Sequence, residues 1–296
     1  MTTTSAVPEF CLPGLVRNAV QSLATVVEHE PMARGTWRMR LACPEIARQI
    51  LPGQFFMIRM PGRSDPLLGR PFALYDVYGE KSAPEGIEFG YVVVGKMTSL
   101  FATLKPGDQV EVWGPLGNGF PLPPQGHLVI VAGGIGQTPF LAVIREALGR
   151  RAYGHPARQL DHVPERITLC YGVRSREYLA GVEEFEREGI DVRVATDDGS
   201  VGHHGFVTDL LKQLISEPVP PAAVYCCGPE PMMHAVSKVT MAASVPCWLS
   251  LETPMACGFG ACFSCVTKVR QDDGTWDYRR VCVEGPVFPA SQIVFD

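Results

Sequence analysis

Residues 127–139 read HLVIVAGGIGQTP and run into the helical pattern FLAVIREALGR. The apolar run before the glycines has the length of a buried strand, and glycines let a ligand approach the backbone closely. The first turn of the following helix leaves N–H groups free for an anion. Strand, glycine turn and helix therefore indicate a phosphate-binding arrangement. A plain tight turn is the alternative, because the spacing departs from G-x-G-x-x-G.

The same alternation of strand and helix continues downstream. Apolar strands are predicted at 167–171, 191–196 and 223–227, and the segments EYLAGVEEFERE, VTDLLKQLISE and PMMHAVSKVTMAA that follow them have helical periodicity. Alternating strands and helices are typical of a doubly wound parallel sheet. We therefore predict an α/β domain over residues 125–243.

Upstream of the glycine turn the pattern is that of short strands. Residues 19–28 and 36–43 alternate between apolar and polar, which predicts a hairpin with EPMARG as its turn. A short helix is expected at 98–104, with Thr98 as its N-cap. Six strands in all predict a small antiparallel β-barrel over residues 15–124, preceded by a tail at 1–14. The remaining strands of this barrel are predicted at 54–60, 72–78, 87–93 and 109–113.

The cysteines near the end of the chain form a spaced set. In LETPMACGFGACFSCVTKV, residues 251–269, Cys257, Cys262 and Cys265 have the pattern C-x4-C-x2-C, and Cys282 follows later. This spacing is typical of a [2Fe-2S] cluster held by four thiolates. A structural zinc site or disulfides are the alternatives, although zinc sites usually have two C-x2-C pairs and only one is present. We predict a small cluster domain over residues 244–296.

Composition narrows the class of protein. The chain has 296 residues, 46% of them apolar, which is enough for two or three globular lobes. A net charge of −5 without a basic run argues against nucleic acid as a partner, and no apolar run is long enough to span a membrane. Ten cysteines without a signal peptide favour a reducing compartment, so the expected location is cytoplasmic.

Together these features resemble the ferredoxin reductase superfamily. The resemblance rests on the barrel motif RPFA at 70–73, the turn GGIGQTP, the segment CGPE at 227–230 and the terminal cysteine loop. Finer motifs are GPLGNGF, ATDDGSVGHHGFVTDLL and MACGFGACFSC. They resemble the electron-transfer subunits of NAD-dependent, two-subunit (class 1B) dihydroorotate dehydrogenases, from about residue 15 onward.

The resemblance implies an FAD site on the barrel. Arg70 matches the arginine that pairs with the flavin pyrophosphate, a role suited to a guanidinium, with an ordinary surface arginine as the alternative. Three positions depart from the family pattern, and they put flavin affinity and potential in question: Ala73 replaces a serine or threonine, Val92 an arginine and Met97 a glycine. Tyr91 and Val92 could also be plain strand residues facing a core. The full set of implied flavin residues is Arg70, Pro71, Phe72, Ala73, Gly90, Tyr91, Val92, Met97 and Thr98.

The resemblance also implies an NAD site on the α/β domain. The glycine turn would receive the pyrophosphate, and the segment CGP would lie near the nicotinamide. Arg174 and Arg176 could select a 2′-phosphate, so the residues leave NADP open while the resemblance favours NAD. The implied NAD residues are Gly133, Gly134, Gly136, Thr138, Pro139, Cys227, Gly228 and Pro229.

Other polar residues have simpler interpretations. Asp197 and Asp198 could be a carboxylate pair, but an Asp-Asp-Gly turn is the commoner use. His203 and His204 invite a metal site, but no further ligands lie nearby in the sequence. Cys226 is expected to be a buried core thiol.

The resemblance implies an electron relay rather than a complete enzyme, and we assign no catalytic residue to this chain. A catalytic subunit with FMN would oxidise dihydroorotate in pyrimidine biosynthesis and pass electrons through the [2Fe-2S] cluster and FAD to NAD⁺. The expected assembly is a heterotetramer with two copies of each subunit. One alternative is a reductase for a ferredoxin, an oxygenase or a bifurcating partner. Some bifurcating relatives use an aspartate ligand, which the four cysteines here do not match. The other alternative is a redox-sensing module with impaired flavin chemistry, as Ala73, Val92 and Met97 suggest.

Overall fold

The computed structural model describes residues 15–16 and 18–295. The tail expected at 1–14 lies outside the described residues. Three sheets organise the chain: one antiparallel, one mostly parallel and one small hairpin. Among the described residues, no helix is both long enough and apolar enough to cross a membrane.

The first half of the chain forms the antiparallel sheet of a β-barrel. Apolar side chains at alternate strand positions, such as Phe56 and Ile58, point into its core and are fully buried. Two short helices, α1 (Pro44–Ala47) and α2 (Lys96–Phe101), accompany the sheet. Its seven strands are β1 (Val20–Ala33), β2 (Thr36–Ala42), β3 (Phe55–Arg59), β4 (Arg70–Ala73), β5 (Asp76–Glu80), β6 (Ala83–Val92) and β7 (Gln109–Leu116). Their order in the sheet is β4-β3-β7-β1-β2-β6-β5.

The single strand predicted at 72–78 was wrong, because the chain breaks there into β4 and β5 at opposite edges of the sheet. Leu74 donates its N–H to Gln54, and Tyr75 donates its N–H to Glu88, so the link crosses from one edge to the other. Both linking side chains are fully buried. The crossing brings the two edges together as a barrel, and the strand count is seven rather than six.

Two local predictions in the barrel also need correction. The hairpin turn is shorter than EPMARG, since β1 continues to Ala33 and Gly35, with φ +67°, makes the tight turn. Thr98 is not an N-cap, because α2 begins at Lys96. The Thr98 hydroxyl instead accepts hydrogen bonds from the N–H groups of Val94 and Gly95, at 3.0 and 3.1 Å. This side chain fixes the turn before the helix.

The second half of the chain forms the α/β domain, and the strands predicted at 191–196 and 223–227 are confirmed. The strands are β8 (His127–Gly133), β9 (Arg166–Val173), β10 (Asp191–Thr196), β11 (His203–His204), β12 (Ala223–Cys227), β13 (Cys247–Ser250), β14 (Val266–Arg270), β15 (Trp276–Arg280) and β16 (Val287–Pro289). The helices are α3 (Phe140–Ala147), α4 (Val182–Arg187), α5 (Val207–Ile215) and α6 (Glu230–Ala242). The large sheet has the order β11-β10-β9-β8-β12-β13-β16, and only β16 runs antiparallel to its neighbour.

The cysteine-rich segment leaves this sheet and returns to it. Strand β13 pairs in parallel with β12, and β16 pairs antiparallel with β13, with Ser250 opposite Val287. Between them lie the cysteine loop and the separate hairpin of β14 and β15. The domain boundary expected between residues 243 and 244 stays a prediction. Strands β13 and β16 lie after this boundary but belong to the large sheet of the α/β domain.

Buried charges join the barrel to the α/β domain. Arg38 of β2 contacts Glu30 in the barrel and Glu184 on α4. The hydroxyl of Tyr75 donates to the same Glu184. These contacts hold the barrel and the α/β domain together.

Candidate functional site

The glycine turn meets the barrel at Gly90. A Cβ built on this glycine of β6 would lie 2.8 Å from Cγ2 of Thr138 and 3.6 Å from Cδ1 of Ile135. A side chain at position 90 would therefore push the two lobes apart. The structure thus brings a predicted flavin residue against a predicted NAD residue.

The segment Cys227–Pro229 lies beside the same turn, because β8 and β12 are neighbouring parallel strands with Ala132 opposite Cys227. A Cβ on Gly136 would lie 2.4 Å from the carbonyl oxygen of Cys227, and one on Gly133 would lie 2.9 Å from Cδ of Pro229. Gly136 therefore permits a close approach to the backbone of Cys227, whereas Gly133 leaves room for the side chains of Pro229 and Met232. The carboxyl ends of adjacent parallel strands are where α/β sheets bind ligands.

The helix after the turn begins at Phe140, and the residues Gly134–Gln137 form a 3₁₀ turn before it. Thr138 and Pro139 link the two, and the Thr138 hydroxyl donates to the carbonyl of Ile135 at 2.9 Å. Gly134 has φ +55° and nothing within 4 Å of its built Cβ. One face of the turn is therefore open to a ligand.

On the barrel, the predicted flavin residues fall on β4, β6 and α2. Phe72 is half-buried, with its ring centroid 4.9 Å from that of Phe89 and 6.2 Å from that of Tyr91. The hydroxyl of Tyr91 is hydrogen-bonded to Nε2 of His29 at 2.8 Å, and burial raises the pKa of this tyrosine. Tyr91 is therefore neutral and lies in the barrel core, with the half-buried Phe72 beside it.

The three departures from the family pattern lie in different surroundings. Met97 is buried in the barrel core. Ala73 and Val92 are half-buried at the ends of β4 and β6. Arg70, at the start of β4, is exposed, and its guanidinium donates to the carbonyls of Leu68 and Gly69, both at 3.0 Å. Its charge is not paired with a carboxylate in the described chain, which suits an anion-binding role.

The cysteine loop is seated on the barrel through Gly258. This residue has φ +79°, and a Cβ there would lie 2.6 Å from Cγ of Met57 on β3 and 3.0 Å from Cδ1 of Leu116 on β7. The loop also contains Phe263 with φ +55°, an uncommon conformation for a residue other than glycine. Both residues mark sharp turns of the backbone within the cysteine loop.

The four cysteines fall into two pairs by exposure, since Cys257 and Cys262 are partly or fully exposed whereas Cys265 and Cys282 are buried. The pKa of Cys262 depends on Cys257, and that of Cys282 depends on Cys265 and Cys257, so the four thiols are neighbours. Among residues 15–16 and 18–295, no three His, Cys, Asp or Glu side chains converge in a way that would hold a single metal ion. A [2Fe-2S] cluster bound by four cysteines needs two thiolates per iron, and two pairs satisfy that requirement.

The pairs differ in exposure and acidity. Cys262 is exposed; partial burial is the largest single influence and raises its pKa, but hydrogen bonds with Ser264 and Cys257 together outweigh it and lower the pKa to about 6. Cys282 is buried, and burial together with neighbouring Cys265 and Cys257 raises its pKa. Iron binding would deprotonate both. The donor set therefore fits the cluster, with one pair near solvent and one in the core.

The remaining polar candidates behave as structural residues. Oδ1 of Asp198 accepts the N–H of Ser200 at 2.9 Å, as expected for an Asp-Asp-Gly turn. His203 pairs with Asp209 at 3.5 Å, and among the described residues no three metal-binding side chains converge there. Arg174 and Arg176 are exposed at the carboxyl edge of β9, where a nucleotide ribose could reach them.

Sequence reasoning missed three residues of the site. His29 holds Tyr91, but its partner is 62 positions away. Gln137 is fully buried in the glycine turn, and neither of its amide atoms has a partner among the described residues. Trp113 of β7 donates its indole N–H to the carbonyl of Cys257 at 2.9 Å. Only the position of Gln137 between glycine and threonine gave a local signal.

The fold and site define a class: an NAD-linked oxidoreductase of the ferredoxin reductase type that carries an iron–sulfur domain. A solved NADH-dependent reduced ferredoxin–NADP oxidoreductase, described for flavin-based electron bifurcation, is 27% identical with a TM-score of 0.76, and the match covers 92% of this chain and 90% of that one. Family models match residues 252–294 as the iron–sulfur cluster binding domain of dihydroorotate dehydrogenase B, and residues 130–238 as an oxidoreductase NAD-binding domain.

Two relatives narrow the class further. The dihydroorotate dehydrogenase B (NAD(+)) electron transfer subunit of Desulforamulus reducens is 37% identical over 267 residues, which are 90% of this chain and 95% of that protein. The subunit of the same name from Caldanaerobacter subterraneus subsp. tengcongensis is 38% identical over 244 residues, which are 82% and 87% of the two chains. The chain belongs to the family of dihydroorotate dehydrogenase B (NAD(+)) electron transfer subunits. The family resemblance, the fold class and the cofactor classes predicted from the sequence are confirmed.

Proposed function

We propose that this chain takes electrons from a catalytic subunit that oxidises dihydroorotate and delivers them to NAD⁺. One observation supports the proposal: the segments that carry the three candidate sites contact one another in sequence. The cysteine loop rests on Met57 and Leu116 of the barrel, and the barrel meets the glycine turn at Gly90 and Thr138. A relay requires cofactor sites that are close and rigidly oriented.

The cluster ligands in this proposal are Cys257, Cys262, Cys265 and Cys282. Their two pairs supply two thiolates to each iron. Arg280 donates to the carbonyl of Gly260 at 3.1 Å and lies over the ring of Phe263, 4.7 Å from its centroid. Arg280 is also paired with Glu284 at 2.8 Å, so it holds the loop by its hydrogen bond and ring contact more than by free charge.

The flavin site is the barrel surface beside β4 and β6. Bound FAD supplies the exchange between two-electron hydride chemistry and single electrons. Arg70 would hold the pyrophosphate, while Phe72 and Tyr91 give the site a rigid apolar wall and Thr98 fixes the turn beside it. Ala73 offers no side-chain hydroxyl, so any hydrogen bond there comes from the backbone.

The NAD site is the open face of the glycine turn. Gly133, Gly134 and Gly136 let the pyrophosphate approach the backbone, and the segment Cys227–Pro229 would flank the nicotinamide. Cys227 serves as a neutral neighbour, because burial raises the pKa of its thiol to about 12. NAD rather than NADP follows from the family.

The partner in this proposal is an FMN-containing catalytic subunit, in a heterotetramer with two copies of each chain. It would dock over the exposed part of the cysteine loop, where Phe259 and Phe263 are 40% and 62% exposed and Cys262 is accessible. Aromatic side chains are enriched in such interfaces. The expected location is the cytoplasm, where free thiols and clusters persist, and the expected pathway is pyrimidine biosynthesis.

The test uses the chain purified with its catalytic partner under anaerobic conditions. Dihydroorotate should reduce added NAD⁺, and NADH alone should bleach the flavin before the EPR signal of the reduced cluster appears. Cys282→Ser should abolish the cluster signal and electron transfer from dihydroorotate while NADH still bleaches the flavin. Cys43→Ser, at a buried thiol of the barrel core, is the matched control and should retain both activities.

A reductase for a different protein partner is the second candidate, favoured by the structural match to the ferredoxin–NADP oxidoreductase. In that case NADH would still bleach the flavin and reduce the cluster. Adding the dihydroorotate-oxidising partner, however, would not give reduction of NAD⁺ by dihydroorotate. A redox-sensing module would instead show a cluster without NADH-dependent flavin bleaching.

A further inference from the structure

Trp113 links the cysteine loop to the arginine-bearing turn of the barrel. Its backbone lies in β7, which is internal to the sheet, with Gln21 opposite on one side and Met57 on the other. Strands paired on both sides are held rigidly. The indole is therefore a fixed point between two loops that have no strand pairing with each other.

The N–H edge of the indole holds the cysteine loop. Nε1 donates to the carbonyl of Cys257 at 2.9 Å, across 144 positions of sequence. Trp113 also packs on the core cluster that contains Cys265 and Cys282. Through this hydrogen bond, a side chain of the barrel holds the backbone of a cluster cysteine.

The benzo ring of the indole, adjacent to the N–H, packs against the turn before Arg70. A Cβ built on Gly69 would lie 2.4 Å from Cη2 and 3.1 Å from Cζ2 of Trp113. Glycine is the residue that leaves room for the ring at this position. Arg70, the next residue, donates to the carbonyls of Leu68 and Gly69, so the guanidinium rests on the turn that the indole supports.

A cleft of about 460 Å³ surrounds this bridge. Its walls include Arg59, Leu68, Phe259 and Cys257. The loop has another seat on the barrel, where Gly258 packs against Met57 and Leu116. Beside the cleft, the indole adds the hydrogen bond that fixes the carbonyl of Cys257.

We infer that Trp113 is a positioning residue for electron transfer between the cluster and the flavin. The inference rests on the proposed function. The indole holds Cys257 by its N–H and the Gly69–Arg70 turn by its ring, so one side chain links the cluster loop to the turn proposed to hold the flavin pyrophosphate. A displacement of about 1 Å in a reacting pair can cost up to about 100-fold in rate.

The experiment compares Trp113→Phe, Trp113→Leu and Trp276→Phe in the complex with the catalytic partner and all cofactors. Phenylalanine keeps a ring against Gly69 but loses the N–H, whereas leucine loses both. Trp276 is 49% exposed on β15 and serves as the matched indole control. Anaerobic stopped-flow with NADH separates flavin bleaching from cluster reduction, and EPR reports the geometry of the reduced cluster.

The expected result is unchanged flavin bleaching and cluster reduction slowed by about 10-fold in Trp113→Phe, with a larger loss in Trp113→Leu. The EPR line shape should change in both and stay unchanged in Trp276→Phe. If Trp113→Phe matches the control in cluster rate and EPR, the inference is overturned. It is also overturned if both phases fall by one common factor as cofactors are lost, since that marks a purely structural residue. Failure of the wild-type complex to show the two phases would instead refute the proposed function.

Discussion

Replacing Arg38 by methionine removes a cation that carboxylates of both lobes share. The guanidinium is 14% exposed and contacts Glu30 and Glu184, and it lies 3.8 Å from Glu88. Methionine keeps much of the volume, so the substitution tests the charge rather than the packing. Glu88, only 7% exposed, then depends on Arg40 alone among the cations that contact it in the described chain.

The cost follows from how much compensation remains. Removing one partner of a buried ion pair costs about 3–5 kcal/mol. Here Arg40 still holds Glu88 at 2.8 Å, Tyr75 still donates to Glu184, and Glu30 is 42% exposed. We therefore expect Arg38→Met to lower the free energy of unfolding by about 3 kcal/mol, the low end of this range. The exposed pair Arg34–Glu177 joins the same two lobes at 64% and 48% exposure, so Arg34→Met should cost far less than Arg38→Met.

The stability lost in Arg38→Met, called the deficit below, should depend on pH. Burial raises the pKa of Glu88, while Arg40 and Arg38 oppose that rise, so losing Arg38 raises the pKa further. A carboxyl with a raised folded pKa binds its proton more tightly in the folded chain than in the unfolded chain. Stability is therefore gained as pH falls, and the deficit of Arg38→Met should shrink between pH 7 and about pH 5.

Urea unfolding of the cofactor-loaded chain, followed by flavin and tryptophan fluorescence at both pH values, measures these free energies. Two results would refute the reasoning. One is a cost for Arg38→Met no greater than that for Arg34→Met, and the other is a deficit that is the same at pH 7 and pH 5.

Three further substitutions, the first of them with a matched control, have defined outcomes. Gly258→Ala should lower the free energy of unfolding by about 1–3 kcal/mol and reduce bound iron, because the added Cβ would lie 2.6 Å from the barrel. Gly274→Ala is the control: its φ is +84° and the space around it is open, so it should cost about 1–2 kcal/mol and leave the iron content unchanged. Gly136→Ala places a Cβ 2.4 Å from the Cys227 carbonyl and should weaken NADH binding about 10-fold, measured by fluorescence titration, with flavin content retained. Gln137→Leu should stabilise the chain by about 1–2 kcal/mol in thermal unfolding, because two buried amide atoms without partners among the described residues are removed, and a lower melting temperature would contradict this.

The α/β domain was predictable because its central strands are buried on both faces and read as continuous apolar runs, such as HLVIVA. Strands β13 and β16 were not predicted. They have four and three residues, and β16 finds its partner across the whole cysteine segment. No local pattern encodes a pairing of that range.

The barrel shows the opposite difficulty. In FALYDVY the apolar pattern continues through Leu74 and Tyr75, so the break between β4 and β5 is invisible, because both linking residues are buried like strand residues. For the site, the motifs indicated which residues matter but not their neighbours. The contact between Gly90 and Thr138, and the bond from Trp113 to Cys257, join residues brought together only by the complete fold.

The return of the chain from β13 to β16 makes the iron–sulfur segment an insertion in a sheet rather than an appendage at the end of the chain. Ser250 and Val287, where the segment leaves and returns, stand opposite each other in neighbouring strands. A short turn between these two positions would close an ordinary hairpin. Truncation before β13 would instead strip the sheet of two strands, so a cluster-free reductase is better engineered by excising the insertion than by shortening the chain.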